Sequence, residues 1–216
     1  MKRITILMFS LVFNTPLFAF ASTVIKVVDQ HGKPVNDAVI EIRASGAHTA
    51  HTLAQPAIMD QVNKAFAPHV LVVPKESYVS FPNSDDIRHH VYSFSKAKPF
   101  ELKLYSGQPK QPLRFEQSGV VVLGCNIHDA MVGYVYVYEG QYANKTNADG
   151  QVELPIDIND NTQMWLWHPR QTLALEQRMA LDLSLLEPVN GAYKVVLEVT
   201  EEQPRDSFED VFSNAQ

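Results

Sequence analysis

The sequence predicts an all-β protein. Beyond Ser22, apolar residues alternate with polar ones or form short apolar bursts, and almost nowhere do they recur at helical spacing over three turns. The clearest alternation covers residues 100–104, which is the pattern of a half-buried strand. Turn signals such as Asp149-Gly150 and Asn190-Gly191 separate the runs. Many short strands at this spacing predict an antiparallel sandwich or barrel.

The predicted strands follow one another along most of the chain. Each is an alternating run or a short apolar burst, and only residues 173–186 show any helical character. In chain order, the predicted strands are residues 24–28, 38–42, 70–73, 78–81, 90–94, 100–104, 120–123, 132–138, 164–167 and 193–199.

The N-terminal segment has the composition of a secretory signal peptide. The basic start Met1-Lys2-Arg3 leads into a long apolar run, and Ala19-Phe20-Ala21 supplies a small-x-small cleavage pattern. A membrane anchor is the alternative interpretation, but Asn14 and Pro16 interrupt the apolar run. We therefore expect export to the periplasm with cleavage after residue 21 and no permanent membrane anchor. Cleavage changes the net charge from −6 to −8.

Charge and cysteine content exclude several classes of function. The chain has 18 basic and 24 acidic side chains and no basic run, so nothing in it is suited to neutralise a phosphate backbone, and we expect no nucleic-acid partner. A single cysteine cannot form an intrachain disulfide, a C-x-x-C redox pair, a four-cysteine metal site or a c-type haem attachment.

That cysteine lies in a segment rich in potential copper ligands. Gly124-Cys125-Asn126-Ile127-His128-Asp129-Ala130-Met131 forms a C-x2-H-x2-M loop between two β-prone stretches. A thiolate, an imidazole and a thioether together suit copper, because soft sulfur holds Cu(I) while imidazole serves both oxidation states. A trigonal plane needs one more imidazole, and His89 or His90 can supply it from a loop that enters another strand. The alternative is that Cys125, His128 and Met131 are ordinary structural residues.

These motifs resemble those of the cupredoxins, the type 1 copper proteins that include plastocyanin and amicyanin. The run His89-His90-Val91-Tyr92-Ser93-Phe94-Ser95 and the cysteine loop are most similar to periplasmic plastocyanin-like proteins labelled methylamine utilization proteins. The resemblance implies a cupredoxin-type Greek-key β-sandwich over residues 56–140. It also implies that His89, Cys125, His128 and Met131 bind copper.

One departure from the cupredoxin pattern concerns the first histidine. The family usually has asparagine after it, as a tether for the cysteine loop, whereas this sequence has His90. Adjacent side chains of a strand face opposite ways, so only one of His89 and His90 can point at the metal. The resemblance favours His89, and His90 stays open as the alternative. We expect His69 and His168, at strand ends, to be structural.

A second resemblance lies outside the copper segment. Asp29-Gln30-His31-Gly32-Lys33-Pro34-Val35 is similar to the opening of a carboxypeptidase-regulatory-like β-sandwich, and residues 145–152 resemble its later hairpin. This implies a small accessory sandwich formed by residues 22–55 and 141–200. Residues 201–216 are acidic and contain few apolar groups, so we expect a flexible tail.

The expected function is one-electron transfer by type 1 copper, not catalysis. Four protein ligands leave no open position for a substrate, and the sequence lacks the paired H-x-H motifs of multicopper oxidases. The expected partner is a redox protein such as a periplasmic c-type cytochrome or a dehydrogenase, and we expect a monomer. A copper carrier or sensor and a structural binding module are the alternatives. The first would present exposed Met-rich or His-rich tracts, whereas the methionines here are scattered.

Overall fold

The computed structural model describes residues 22–44, 53–109, 111–155, 162–186 and 188–201, and within these ranges the chain is built from short strands. The signal peptide predicted for residues 1–21 and nearly all of the predicted tail lie outside them. The strands are β1 (Thr23–Val28), β2 (Val39–Ala44), β3 (Ala57–Ile58), β4 (Asp60–Val62), β5 (Ala65–Ala67), β6 (Val70–Pro74), β7 (Ser77–Ser80), β8 (His89–Ser93), β9 (Phe100–Tyr105), β10 (Leu113–Phe115), β11 (Gly119–Cys125), β12 (His128–Tyr138), β13 (Tyr142–Lys145), β14 (Gln151–Leu154), β15 (Thr162–Trp167), β16 (Met179–Leu181), β17 (Pro188–Val189) and β18 (Ala192–Val196).

The all-β prediction is confirmed. Every predicted strand overlaps an observed one, and the described ranges contain no α-helix and only one 3-10 turn, at Leu183–Leu185. The helical character of residues 173–186 does not become a helix, because Met179–Leu181 pairs with β15 as an edge strand. The described ranges contain no helix of the length and apolarity that a membrane crossing requires.

Two sheets enclose the core that contains the cysteine. A five-stranded sheet has the order β6-β12-β11-β8-β9, and a three-stranded sheet has the order β10-β7-β3. Their inward side chains, among them Val91, Leu123 and Phe115, form one buried cluster that also holds Cys125 and Met131. The strand pairs are antiparallel except for β6 with β12 and β3 with β7.

A second pair of sheets forms a separate core. The orders are β14-β1-β18-β17 and β13-β2-β15-β16, and the core includes Ile25, Ile40 and Leu166. Residues 145–152 do not form the hairpin that the sequence suggests. The strands on either side of the Asp149-Gly150 turn belong to different sheets, since β13 pairs with β2 and β14 pairs with β1.

A third cluster joins the two pairs of sheets. Val39 and Trp167 pack there against Tyr136, and all three are fully buried. Strand alternation explains this arrangement, because neighbouring residues of β2 and β12 face opposite sides and so contribute to different cores. The O–H of Tyr136 donates to the buried carboxylate of Glu41 at 2.8 Å, which fixes β2 against β12. The domain boundaries inferred from the sequence stay a prediction.

Candidate metal centre

The first candidate ligand lies at the start of β8. His89 is completely buried, whereas the side chain of His90 is 12% exposed and its Nε2 atom lies 3.0 Å from the exposed carboxylate of Glu101. The two side chains therefore point to opposite faces of the sheet, as strand geometry requires. His89 is the one that faces the core holding Cys125.

The other two candidates lie at the ends of the strands that flank a tight turn. Cys125 is the last residue of β11 and His128 is the first of β12, and they pair across the turn formed by Asn126 and Ile127. The ladder register shifts between Gly124 and Cys125. Because this irregularity re-aims the last residues of the strand, it helps to bring the thiol and the imidazole to the same side.

The three side chains converge on a common point. The Cys125 Sγ atom lies 3.7 Å from Nδ1 of His89 and 3.7 Å from Nδ1 of His128. The possible ligand atoms of the three residues all lie within 4.8 Å of one another, and the two imidazole rings are 5.0 Å apart. Metal bonds to protein nitrogen and sulfur are about 2.0–2.3 Å long. One ion placed among these atoms can therefore reach all three.

Met131 is the fourth candidate and lies further along β12. Its side chain is 1% exposed and belongs to the same buried cluster as Cys125. The structure thus gathers three of the four candidates into one group and places the fourth in the same buried cluster as Cys125.

Asp85 is a partner of His89 that the sequence analysis did not single out. Its Oδ2 atom lies 2.6 Å from Nε2 of His89. Burial, the largest single influence, raises the pKa of this carboxyl group, but hydrogen bonds from the Lys64 N–H, the His89 ring and the Asn63 N–H outweigh it and lower the pKa below its usual range. An ionised carboxylate only accepts hydrogen bonds, so this contact favours the His89 tautomer that has its proton on Nε2 and its Nδ1 facing Cys125.

Buried polar groups brace the loop that leads to His89. The side-chain amide of Asn83 donates to the carbonyls of Ile87 and Tyr105 at 2.9 and 2.8 Å. The O–H of Tyr105 donates to the Phe81 carbonyl and accepts from Nε2 of Gln61. Since these bonds tie the loop to β4 and β9, the position of His89 does not depend on β8 alone.

Tyr105 stays protonated near this centre. Burial raises the pKa of its phenol to about 12; the hydrogen bond from Gln61 opposes this rise, and the negative charge of Asp60 adds to it. The phenol of Tyr105 is therefore a neutral hydrogen-bond donor at every physiological pH.

Two histidines outside the centre have structural surroundings, as the sequence analysis expects. His168 is 4% exposed, and its Nε2 atom lies 3.1 Å from the Asn36 carbonyl. Burial, followed by the positive charge of Arg170, lowers the pKa of His168 to about 4. The ring of His69 meets the ring of Tyr134 edge-on at 5.3 Å.

Comparisons with known proteins give structural neighbours only. No protein-family model matches the chain, and no curated protein matches it. A copper-containing nitrite reductase from Thermus scotoductus SA-01 matches with 27% identity over 52% of this chain, with a TM-score of 0.37, and the match spans 27% of that enzyme. A novel purple cupredoxin from Nitrosopumilus maritimus has 23% identity over 38% of this chain and 99% of its own length, with a TM-score of 0.34. A reduced amicyanin variant has 20% identity over 46% of this chain and 98% of its own length, with a TM-score of 0.36. Cupredoxins are thus among the solved structures to which part of this chain is similar.

Proposed function

We propose that this chain is a periplasmic type 1 copper protein of the cupredoxin kind that carries single electrons between redox proteins. The observation that carries the proposal is the position of the Cys125 sulfur, 3.7 Å from Nδ1 of both His89 and His128. In the proposed site, these three atoms and the thioether of Met131 are the copper ligands.

The chemistry of the donors favours copper over other metals. One thiolate, two imidazoles and a weak thioether make up the ligand set of blue-copper electron-transfer sites, whereas structural zinc sites use four strong ligands and calcium or magnesium sites use oxygen. Bound copper would supply a Cu(II)/Cu(I) couple. The residues of the chain hold the donors in place and keep water away from them.

The burial of the donors supports an electron carrier over a carrier of copper ions. His89 is 0% exposed, Cys125 3% and Met131 1%. A protein that hands over the ion itself must bring its ligands to the surface, and three of these four are enclosed by the core. His128 is only partly buried, and its neighbour Ile127 is 51% exposed. We therefore propose the His128 edge as the route by which electrons enter and leave.

The charge of the chain suits a basic redox partner. The net charge is −6 for the whole sequence. A periplasmic c-type cytochrome or a dehydrogenase with a positive face would be attracted to an acidic protein, and the association rate would fall as salt screens that attraction. We propose that the mature protein is exported, has no membrane anchor and acts as a monomer.

Copper loading with visible spectroscopy tests the proposed site. The metal-free protein should bind one Cu(II) ion and develop an intense thiolate-to-copper absorption. Cys125→Ser should lose that absorption and keep the fold, as judged by far-ultraviolet circular dichroism. If Cys125→Ser with copper were as strongly coloured as the unaltered protein, the ligand assignment would be wrong.

Stopped-flow reduction by a c-type cytochrome tests the electron-transfer role. An electron carrier should exchange one electron reversibly and retain its copper after reduction. Release of copper on reduction would contradict this role and support the alternative of a copper carrier.

A further inference from the structure

One largely enclosed carboxylate, that of Asp85, bonds to a candidate copper ligand and to the tip of a neighbouring hairpin at the same time. The Oδ2 atom of Asp85 lies 2.6 Å from Nε2 of His89 and accepts a 2.9 Å hydrogen bond from the backbone N–H of Lys64. Its Oδ1 atom accepts a hydrogen bond from the backbone N–H of Asn63. Both oxygens of Asp85 are therefore engaged, and the side chain is only 10% exposed.

The hairpin is shaped to receive this carboxylate. Asn63 and Lys64 lie between β4 and β5 and have φ angles of 52° and 58°, which is the left-handed geometry of a type I′ turn. Successive backbone N–H groups in such turns form a concave site for anions. Here the anion is the side chain of Asp85, so the turn fixes the carboxylate while the carboxylate fixes the histidine.

We propose that Asp85 is a positioning residue that sets the tautomer of His89 and favours the oxidised state of the copper centre. This proposal rests on the proposed function. By accepting a hydrogen bond from Nε2–H, the carboxylate keeps Nδ1 unprotonated and directed at the metal position. It also increases the electron density of the imidazole, because a hydrogen bond to an anion makes a ligating histidine a stronger donor. A stronger donor stabilises Cu(II) more than Cu(I), which lowers the reduction potential.

The same strand supplies a matched control. His90 and Glu101 form another histidine–carboxylate pair, 3.0 Å apart, but on the opposite face of β8 and with Glu101 54% exposed. Glu101→Gln therefore removes a carboxylate from a histidine one residue away without touching the proposed ligand. Asp85→Asn keeps the size of the side chain and one acceptor oxygen for the hairpin, but it removes the negative charge.

The tautomer can be measured without copper. In nitrogen-15 NMR of the unaltered metal-free protein at neutral pH, the proton of the His89 ring should be on Nε2. Asp85→Asn should give a mixture of tautomers, and Glu101→Gln should leave His89 unchanged. A His89 ring protonated on Nδ1 in the unaltered protein would overturn the proposal even if Asp85→Asn failed to fold.

The second measurement is the reduction potential of the copper-loaded protein. Loss of an outer partner of a metal ligand typically costs about 10–100-fold in metal affinity. A tenfold loss confined to Cu(II) would raise the potential of a one-electron couple by about 59 mV. We expect this rise for Asp85→Asn and none for Glu101→Gln. An unchanged potential in Asp85→Asn would overturn the role of Asp85, whereas failure of all the proteins to bind copper would overturn the proposed function and leave the tautomer result standing.

Discussion

Cys125 and His128 lie opposite each other across a two-residue turn, with Sγ and Nδ1 3.7 Å apart. Because only Asn126 and Ile127 separate them, the geometry of one turn fixes the relative position of two candidate ligands. The third, His89, comes from a strand 36 residues earlier and reaches the same sulfur at the same distance. The centre thus combines a local pair with one tertiary contact, and the two parts can be tested separately.

From the contact between Cys125 and His89, we expect substitutions of the adjacent residues His89 and His90 to affect copper binding differently. His89→Asn should weaken copper binding by more than the roughly 10–100-fold that follows from loss of an outer partner, because it removes a ligand itself. His90→Asn should leave copper binding unchanged, since His90 faces Glu101 on the other side of the strand. Copper titration followed by visible absorption measures both. Strong copper-dependent colour in His89→Asn and its loss in His90→Asn would reverse the assignment.

Met131 should tune the centre without being essential for it. In Met131→Gln, an amide oxygen replaces a soft thioether, so Cu(II) is stabilised over Cu(I) and the potential should fall by about 59 mV for each tenfold change in relative affinity. Met131→Leu keeps the volume but removes the donor, and the potential should rise. Protein-film voltammetry distinguishes these cases. Equal potentials for both variants and the unaltered protein would show that the side chain of Met131 is not a ligand.

Local pattern was enough to locate most of the strands. Residues 164–167 and 132–138 were predicted from their β-prone sequences, and both lie in observed strands. The hairpin of β4 and β5 was missed, because Asp60–Val62 and Ala65–Ala67 are too short to show a period. Residues 179–181 lie in the one stretch with any helical character, yet they form a strand, because their pairing with β15 is a tertiary interaction that local spacing does not encode.

The candidate centre was only partly predictable for a similar reason. Three features of the sequence indicate Cys125, His128 and Met131: their soft donor atoms, the C-x2-H-x2-M spacing and the resemblance to cupredoxins. These residues lie close together in the sequence. The sequence analysis does not single out Asp85, because a sequence does not tell whether an acidic residue between two strands faces water or a buried ring. Its position four residues before His89 was the one signal available.

The close approach of Tyr92 to Gly124 predicts a steric effect beside the cysteine. A Cβ atom added at Gly124 would lie 2.8 Å from Cζ of Tyr92, which is too close for real contacts. Gly124→Ala should therefore lower the free energy of unfolding by about 1–3 kcal/mol through overpacking. In a Tyr92→Ala background, Gly124→Ala should lower the free energy of unfolding by much less. Urea unfolding of the four proteins measures this coupling, and equal costs in both backgrounds would mean that Tyr92 is not the obstacle.

Because His168 is buried, we expect the protein to lose stability in mild acid. Burial lowers its pKa to about 4 in the folded protein, while an unfolded chain has a value near the ordinary 6.5. Above pH 6.5 neither state binds the proton, so the full stability is present. Between pH 6.5 and 4 only the unfolded state takes up the proton, and the free energy of unfolding should fall by about 3 kcal/mol.

Urea unfolding of the metal-free protein from pH 8 to pH 4 checks this prediction. His168→Gln removes the titrating group, so its stability should fall less steeply over this range than that of the unaltered protein, although it starts lower because the hydrogen bond to Asn36 is weakened. His31→Gln is the control, because His31 is exposed in a turn and solvent surrounds it in both states. A slope in His168→Gln as steep as in the unaltered protein would mean that carboxylates or other histidines cause the acid sensitivity.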